Sequence, residues 1–288
     1  MGEGQNILLT SLIIFVVFCL AFLGFTFFIY PNLDSPQQDL AVLPESDDPD
    51  VLSVFEQTNP YAYECPGTFP VVEVPNDFPT IQSAIDAATA GTVISVFPGI
   101  YSENIVLKPE ICLIAQEFAK SEIQGLGDVV IEATSKNKIK NFKITSLGRS
   151  DVGISLEDAQ EVNIEINSFE NLNFAISASE ESQLSAISNS FRNVGLAFYI
   201  QDSDFFVEQS NIRATNSAMD IVFSKGDIIG MVFEGGEYGV KAKNSELFFD
   251  KNIFKKQSVA ALELSQEGDY EFGNNFFDGV NEEILYSE

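Results

Sequence analysis

The chain contains no histidine and no tryptophan among its 288 residues. Histidine is the side chain used most often for general acid–base catalysis and for binding transition metals. Without it, catalysis must use carboxylates, lysine, tyrosine or a thiol. Phenylalanine is abundant, with 26 residues, and together with many Asn, Ser and Ile residues it favours strands joined by Asn-containing turns.

Basic residues are also scarce, because 15 Lys and Arg oppose 43 Asp and Glu and give a formal net charge of −28. Phosphates would be repelled at every approach, so no nucleic acid and no anionic lipid surface is expected as a partner. An acidic polymer such as a polyuronate meets the same repulsion unless calcium bridges the two. No other cofactor or metal is predicted, and the acidity indicates a soluble exported surface or a salt-adapted source.

Cysteine is nearly absent, with three residues in the chain. Cys19 lies within an apolar N-terminal run, whereas Cys65 and Cys112 can form a disulfide if their part of the chain faces an oxidising compartment. Two unrelated thiols are the alternative, because a sequence does not show whether two Cα atoms are close enough to be bridged.

Charge is missing altogether from residues 7–30. At a rise of about 1.5 Å per residue, a helix of this length spans the hydrocarbon core of a bilayer. A cleaved signal peptide is disfavoured, since there is no basic start, no small residues before a cut and the apolar run is too long. The sequence predicts a transmembrane helix over 7–30 after a short N-terminal tail, 1–6. No Lys or Arg precedes Lys108, so the positive-inside rule does not orient this helix.

Residues 31–70 are predicted to form an acidic, Pro-containing linker. Their first half carries several acids and no basic residue, a composition that buries too little apolar surface to fold alone. The following stretch, 51–67, is more apolar, and we expect it to lie along either the domain or the bilayer surface.

At residue 71 the pattern changes to that of a folded domain. Short β-rich runs at 92–97, 105–107 and 111–114 are separated by Pro-Gly and Lys-Pro punctuation. A short strand is predicted from Val71, Val72 and Val74. An amphipathic helix is predicted between this strand and the later runs, starting at Pro79 and ending at Gly91. Its apolar residues at helical spacing are Ile81, Ala84, Ile85 and Ala88.

One segment of this region resembles the opening of pectin-lyase-like and NosD-like right-handed β-helix proteins. Its sequence is VPNDFPTIQSAIDAATAGTVISVFPGIYSENIVL. The family form runs V-P-x-D-[FY]-x-T-I-Q-x-A-I and then G-D-T-I-x-V-x-P-G-x-Y-x-E-x-I, and the similarity covers residues 74–115. One departure is the missing acid after Gly91. The resemblance implies a helix that caps the open end of the coil, in enzymes and non-enzymes alike, so it is specific for fold and not for function.

A repeat of about 21 residues, the length of one solenoid coil, runs through the rest of the chain. Each coil is expected to pair in parallel with its neighbours, with Asn side chains hydrogen-bonded along the axis and Phe residues stacked inside. The predicted fold over 71–288 is therefore an all-β right-handed parallel β-helix with coils of about 21–23 residues. The repeat is marked by Asn167-Ser-Phe169, Asn189-Ser-Phe191, Asn211-Ile-Arg213, Met231-Val-Phe233, Asn252-Ile-Phe254 and Asn275-Phe-Phe277.

Two rival interpretations of the repeat fail. Leucine-rich repeats have a similar period but need a leucine-dominated consensus, and calcium-binding nonapeptides are also absent. The step from Asn141 to Asn167 is longer than one coil, so the loop around 146–151 is expected to bulge.

Enzymes with the resembled fold act on sugar polymers through outward side chains of neighbouring coils. A lyase needs a basic residue, and the candidates are Arg192 and Arg213, which can stack on adjacent coils near Asp202 and Glu208. A surface ion-pair ladder is the alternative interpretation. A methylesterase needs two aligned aspartates, and Asp202 and Asp220 differ in register.

A glycoside hydrolase needs two carboxylates about 5–9.5 Å apart. The pairs Glu157–Asp158 and Glu180–Glu181 are separated by the length of one coil and are candidates on adjacent coils, with a solvated acidic face as the alternative. The NosD-like resemblance implies copper-enzyme maturation, but a chain without His offers poor copper ligands.

The sequence thus contains a complete pattern for a fold but no set of residues that converges on one chemical reaction. We expect a cell-membrane, single-pass protein with an extracytoplasmic domain, because the tail of residues 1–6 is trivial and the resembled fold occurs mostly in exported proteins. Its expected role is a non-catalytic surface scaffold or a binding module for a cell-surface polysaccharide or an envelope protein. A polysaccharide lyase or glycoside hydrolase is the alternative, and a self-assembling adhesive protein would follow from an uncapped last coil.

Overall fold

A computed structural model describes residues 59–65, 70–147 and 152–287. The predicted membrane helix at 7–30, the tail before it and the linker as far as residue 58 lie outside these ranges. Within the described residues no helix is both long and apolar enough to cross a membrane. One compact unit runs from Thr58 to Glu288.

This unit is a parallel β-helix, as predicted. Its strands pair in parallel between successive coils, so the backbone groups of one coil are satisfied by the coils above and below. The coils have three faces. The second and third faces form one 16-stranded sheet in the described residues, because two long strands continue around the corner between them.

The first face is a ten-stranded sheet within the described part of the chain. Its inward residues alternate with outward ones, as the two-residue period of a strand requires. The strands are β1 (Val71–Val74), β2 (Val93–Val96), β5 (Cys112–Ala115), β8 (Lys138–Lys140), β11 (Val162–Glu165), β13 (Gln183–Ile187), β15 (Asp204–Glu208), β18 (Lys225–Ile229), β21 (Glu246–Asp250) and β24 (Asp269–Phe272).

The second face follows each first-face strand after a tight turn, and the third face follows the second. The second-face strands are β3 (Gly99–Tyr101), β6 (Ser121–Gly125), β9 (Lys143–Ser146), the first parts of β12 (Ser168–Ser179) and β14 (Ser190–Gln201), β16 (Asn211–Ala214), β19 (Val232–Glu234), β22 (Ile253–Lys255) and β25 (Phe276–Asp278). The third-face strands are β4 (Ile105–Val106), β7 (Val129–Ala133), β10 (Val152–Glu157), the second parts of β12 and β14, β17 (Ser217–Val222), β20 (Tyr238–Lys243), β23 (Ala260–Ser265) and β26 (Ile284–Ser287).

A short helix, α1 (Ile81–Ala87), contacts the first strands of the coil. Thr80 is its N-cap and exchanges hydrogen bonds with Ser83 in a capping box, while the Glu103 carboxylate accepts from the first two backbone N–H groups. The predicted end at Gly91 is wrong, because Ala88 leaves the helical conformation and caps the last turn.

The stacked aromatic interior is confirmed on the second face. Phe169 and Phe191 stack at 5.0 Å, and Phe233, Phe254 and Phe277 continue the stack at 4.6 and 5.3 Å. The first four rings are at most 2% exposed, so these residues belong to the core.

The asparagine ladder is also present, with one correction. Asn189 accepts from the Asn167 backbone N–H at 2.9 Å, but the next ladder position is Ser210, whose hydroxyl accepts from the Asn189 N–H. The predicted member Asn211 lies one residue later, starts β16 and is exposed. The reason is register, because Ser190 pairs with Asn211 and this places Ile212 under Phe191.

A second ladder, made of serine side chains, lies at the corner between the third and first faces and was not predicted from the sequence. Ser224 accepts from the Ser203 N–H at 3.2 Å, and Ser245 accepts from the Ser224 N–H at 3.1 Å. These serines are 4–5% exposed. Their spacing of one coil was visible in the sequence, but isolated serines at polar turns carry little signal.

Residues 59–65, here called the strap, lie on the outward side of the first face. They run across the coils of β5, β8, β11 and β13, so part of the predicted linker belongs to the folded unit. The strap is held by the Cys65–Cys112 disulfide with a Cα–Cα distance of 6.2 Å, by Glu64 Oε2 at 2.9 Å from Lys138 Nζ, by the Tyr63 carbonyl accepting from Asn163, and by Asn59 donating to Ser185.

Candidate functional site

One outward column of the third face carries four chemically versatile side chains on successive coils. Tyr199 pairs with Asp220, Asp220 with Lys241, and Lys241 with Glu263. Because adjacent strands are about 4.8 Å apart, these side chains form a continuous row, here called the third-face row.

Strand alternation explains why this row faces outward. In β17 the flanking residues Met219 and Ile221 are fully buried, so Asp220 between them points away from the core. The same holds for Lys241, which lies between buried Val240 and nearly buried Ala242. The local sequence thus places a charge between two core residues in each of these two coils.

Asp220 is the most unusual member of the row. Burial raises the pKa of its carboxyl above the ordinary value of 3.8; Lys241 opposes this and Glu263 adds to it. Among the described residues its carboxylate has no hydrogen bond and no ion pair within 4 Å. A half-buried carboxyl without partners is costly to the folded state, and such groups cluster at functional sites.

Lys241 has a well-defined environment. Its Nζ lies 3.0 Å from Glu263 Oε2 and 4.8 Å from the centre of the Tyr238 ring. Burial lowers the pKa of Lys241, but the hydrogen bond and charge of Glu263, with Asp220 and Tyr238, outweigh this and raise it overall. Lys241 is therefore a fixed cation beside Asp220.

Aromatic rings flank the upper end of the row. Phe174, which is 37% exposed, meets the edge of Tyr199 with ring centres 6.2 Å apart. The Tyr199 hydroxyl donates to Gln201 Oε1 at 2.8 Å. The third face thus combines exposed ring surface with donors and acceptors held in known positions.

Four of the predicted site residues meet elsewhere, at the corner between the third and first faces. Asp158, Glu180, Glu181 and Asp202 line an open groove of about 880 Å³, here called the corner groove, together with the 54% exposed Phe223. Its other lining residues include Gln160, Gln183, Asp204, Lys225, Asn244 and Glu246.

Glu157 is not among the lining residues of this groove. It ends β10 on the third face, opposite Ser179. Asp202 and Asp220 do not share a column, since Asp220 pairs with Tyr199. The corner groove therefore gathers Asp158, Glu180, Glu181 and Asp202 on one surface, and a catalytic pair among them stays a prediction.

The two predicted arginines stand on the second face. Arg192 and Arg213 are directly opposite each other on adjacent coils, as their one-coil spacing indicated. Arg213 Nε donates to Glu234 Oε2 at 2.7 Å, so its partner is Glu234 and not Asp202 or Glu208. Both line a pocket of about 240 Å³, here called the arginine pocket.

The third-face row itself was missed by the sequence analysis. Its members recur once per coil, so aligning the chain on the repeat could have revealed them. Within the described residues, no group of three or more Cys, Asp or Glu side chains is arranged to hold a metal ion.

Comparison with known proteins agrees with this architecture. The family described as the right-handed β-helix region matches residues 115–277, more than half of the chain, so the protein belongs to the right-handed β-helix family. This confirms the predicted fold and its handedness. No curated protein sequence matches the chain.

Solved structures share the fold at low sequence identity. An alginate lyase from Paenibacillus sp. str. FPU-7 is 13% identical with a TM-score of 0.52, over 72% of this chain and 94% of the lyase. The enzymatically active domain of tailspike protein 2 from bacteriophage CBA120 is 11% identical with a TM-score of 0.53, over 72% of this chain and 43% of the tailspike. At these identities the similarity establishes the fold alone.

Proposed function

We propose that the protein is a membrane-anchored, extracytoplasmic β-helix protein that binds a glycan on its third face. The observation that supports this most directly is the third-face row, in which Asp220 lies between Tyr199 and Lys241 and its carboxylate has no hydrogen bond or ion pair among the described residues. A ligand that hydrogen-bonds to Asp220 would remove the cost of leaving this carboxyl unsatisfied.

Sugar chemistry suits this surface. Tyr and Phe rings supply flat, rigid apolar area, and a few fixed polar groups supply orientation. Here Phe174 and Tyr199 provide the rings, while Gln201, Asp220 and Lys241 provide acceptors and donors for hydroxyl groups. A neutral glycan is preferred, because the net charge of −28 repels an acidic polymer.

The location is proposed from two separate features. The uncharged segment 7–30 has the length of a membrane-spanning helix. The Cys65–Cys112 disulfide favours an oxidising compartment outside the cytoplasm, where such bonds persist. An envelope protein instead of a glycan is the competing partner.

A binding experiment tests the proposal. The full-length chain in a non-ionic detergent is screened against immobilised neutral and acidic polysaccharides, and the best ligand is then titrated. We expect Tyr199→Ala and Asp220→Asn each to weaken binding about tenfold.

The matched control is Glu181→Gln, an exposed acid of the corner groove, which removes one negative charge as Asp220→Asn does. Its affinity should stay within about twofold of the unmodified protein. Equal losses in all three variants, or no retention of any polysaccharide, would show that the third face is not a glycan site.

A second function, cleavage of the bound glycan, is favoured by one specific observation. A carboxyl with a raised pKa, such as Asp220, is suited to act as a general acid. Hydrolysis also needs a second carboxylate, and Glu263 stands two strand spacings away, roughly 10 Å, near the separation of inverting enzymes. Glu263 is bound by Lys241 and is thus a poorer base, which is why binding without cleavage is proposed first.

Measuring the release of new reducing ends from the polysaccharide distinguishes cleavage from binding alone. Cleavage by the unmodified protein that is lost in Asp220→Asn would establish an enzyme. Retention of a polysaccharide without new reducing ends would leave the protein a binding module.

A further inference from the structure

We propose that the open end of the last coil binds an extended, basic segment of another protein, which adds a strand to β24. This surface is independent of the proposed glycan face, because β24 belongs to the first face. The inference rests on backbone groups without a strand partner, on apolar side chains that no following coil covers, and on acids without ion pairs.

The backbone of β24 is open on one side. In the described residues this strand pairs with β21 and with no other strand. Asp269 donates its backbone N–H to the Ser245 carbonyl of the preceding coil. Successive residues of a parallel ladder face the two neighbouring strands in alternation, so the backbone groups of Tyr270 and Phe272 point to the open side. Such an edge is a template for another strand.

The inward side chains of the last coil repeat the core pattern without its cover. Leu247 and Phe249 of β21 are at most 2% exposed, whereas Phe272, which follows Phe249 in the same column, is 41% exposed. On the third face Leu264 is fully buried, and Tyr286, the next residue of its column, is 56% exposed. A terminal solenoid coil needs a polar outer face to stay soluble, so a partner that covers these rings would stabilise this end.

The last coil carries charge of one sign. The chain contains no Lys or Arg after Lys256. The acids of the last coil are exposed, and in the described part of the chain none of them has an ion pair within 4 Å. They are Glu267, Asp269, Glu271, Asp278, Glu282 and Glu283.

This charge selects the partner. A second copy stacked on the same end would bring these acids against their counterparts, and like charges on adjacent strands destabilise a sheet. Charged edges of this kind protect a sheet from pairing with itself. A basic residue beside Asp269 would instead repeat the ion pair that Lys225 forms with Glu246 in the same column. Apolar residues at alternate positions of the segment would cover Tyr270 and Phe272.

Fluorescence anisotropy tests the site. The full-length chain in a non-ionic detergent is titrated into a labelled peptide of about eight residues that alternates lysine and valine, the pattern and length of a strand. We expect a dissociation constant of roughly 100 μM. A fully N-methylated peptide with the same side chains has no N–H groups to donate, and it should bind at least about tenfold more weakly.

Variants at β24 locate the binding. Glu271→Lys should weaken peptide binding about fivefold. Glu117→Lys is the matched control, since it makes the same charge change at an exposed acid after β5, several coils away, and it should stay within about twofold of the unmodified protein.

A second pair of variants tests the backbone pairing. Phe272→Pro removes an N–H group on the open side and leaves the hydrogen bonds to β21 in place, so it should weaken binding about tenfold. Phe272→Ala keeps that N–H group and should lose less affinity. If Phe272→Pro does not fold, Glu271→Lys and the N-methylated peptide still decide the question.

The proposal is overturned if the lysine–valine peptide does not bind, if its N-methylated form binds equally, or if Glu117→Lys loses as much affinity as Glu271→Lys. Sedimentation velocity in the same detergent tests the competing occupant. We expect a monomer, and a dimer that Phe272→Pro dissociates would show that a second copy occupies this end instead. A failure of the third-face variants to affect glycan binding would leave these results unchanged, since the two surfaces lie on different faces.

Discussion

The first and third faces are built from the same repeat but treat their outward carboxylates in opposite ways. On the first face, Glu165 lies 3.2 Å from both Lys138 and Lys140 and accepts a hydrogen bond from Asn163. On the third face, Asp220 has no such partner among the described residues. The Glu165 carboxylate thus has partners within the protein, whereas the Asp220 carboxylate has none among the described residues.

The pKa values express the same difference. Burial would raise the pKa of Glu165, but Lys138, Lys140 and Asn163 outweigh it and lower the pKa below 4.5. Burial raises the pKa of Asp220 above 3.8 and its neighbours do not reverse this. A buried carboxylate that is fully partnered stabilises the fold, whereas one without partners costs stability, and such groups cluster at functional sites in proteins generally.

The strap accounts for much of this contrast. Beneath it, Lys138 is 6% exposed, and Asn163 and Ser185 are fully buried although they point outward from the coil. Most polar groups covered in this way find partners within the protein, but Asn163 Oδ1 has no hydrogen-bond partner among the described residues. The strap does not reach the third face, where Asp220 and Lys241 each keep part of their surface exposed.

The largest change in stability is expected from removing the disulfide that holds the strap on the first face. Replacing Cys65 and Cys112 together by Ser should lower the free energy of unfolding by about 4 kcal/mol, because the disulfide closes a loop of 47 residues. Urea unfolding followed by far-ultraviolet circular dichroism measures this. Cys19→Ser, which leaves the disulfide intact, is the control, and a change below about 1 kcal/mol in the double variant would show that the strap contributes little.

A smaller loss is expected from removing the partnered carboxylate. Glu165→Gln leaves Lys138, whose side chain is 8% exposed, with Glu64 as its remaining ion pair. We expect destabilisation of about 2 kcal/mol, less than for a fully buried pair because Lys140 can turn to solvent. The variant should also remove part of the acid sensitivity of the fold.

The sign of that sensitivity follows from the lowered pKa. Glu165 stabilises the folded protein above its ordinary pKa of 4.5, and this contribution is lost as pH falls through the lower, folded pKa. Unfolding by urea at several pH values below 5 should therefore give a flatter curve for Glu165→Gln. An unchanged pH curve would mean that the ion pairs of Glu165 are not formed in solution.

The smallest change in the free energy of unfolding is expected on the third face, and it is an increase instead of a decrease. Asp220→Asn should stabilise the protein at pH 7 by about 0.5 kcal/mol, a modest amount because the group is partly solvated. With a pKa raised above 3.8 in the folded state, Asp220 keeps its proton to a higher pH in the folded chain than in the unfolded chain.

Stability from Asp220 is therefore present at low pH and declines as pH rises through the raised pKa. Asp220→Asn should abolish this decline, measured by urea unfolding between pH 4 and 7. Destabilisation at pH 7 would instead show that Asp220 is a structural carboxylate like Glu165, and the contrast between the two faces would disappear.

Much of the fold was predictable because it depends on local repetition. The Phe stack and most of the Asn ladder recur once per coil, and each coil repeats the same buried environment. The error at Asn211 arose because the sequence offers Ser210 and Asn211 side by side. Only pairing with Ser190 decides which of them occupies the ladder.

The candidate site was less predictable, for a related reason. The acids Glu180, Glu181 and Asp202 were conspicuous in the sequence, and the structure gathers them in the corner groove. Asp220 is inconspicuous in sequence, since its significance comes from Tyr199 and Lys241, which lie one coil away on either side.

The sequence by itself determined the solenoid, the positions of most inward residues and the pair of arginines on adjacent coils. These depend on periodicity, which is a property of the chain. Tertiary structure alone decided which outward columns are covered and which carboxylates are satisfied, because both depend on how residues far apart in sequence meet. The strap over the first face, and the lack of a partner for Asp220 among the described residues of the third, are properties of the folded coil, where burial and neighbouring charge act together on each group.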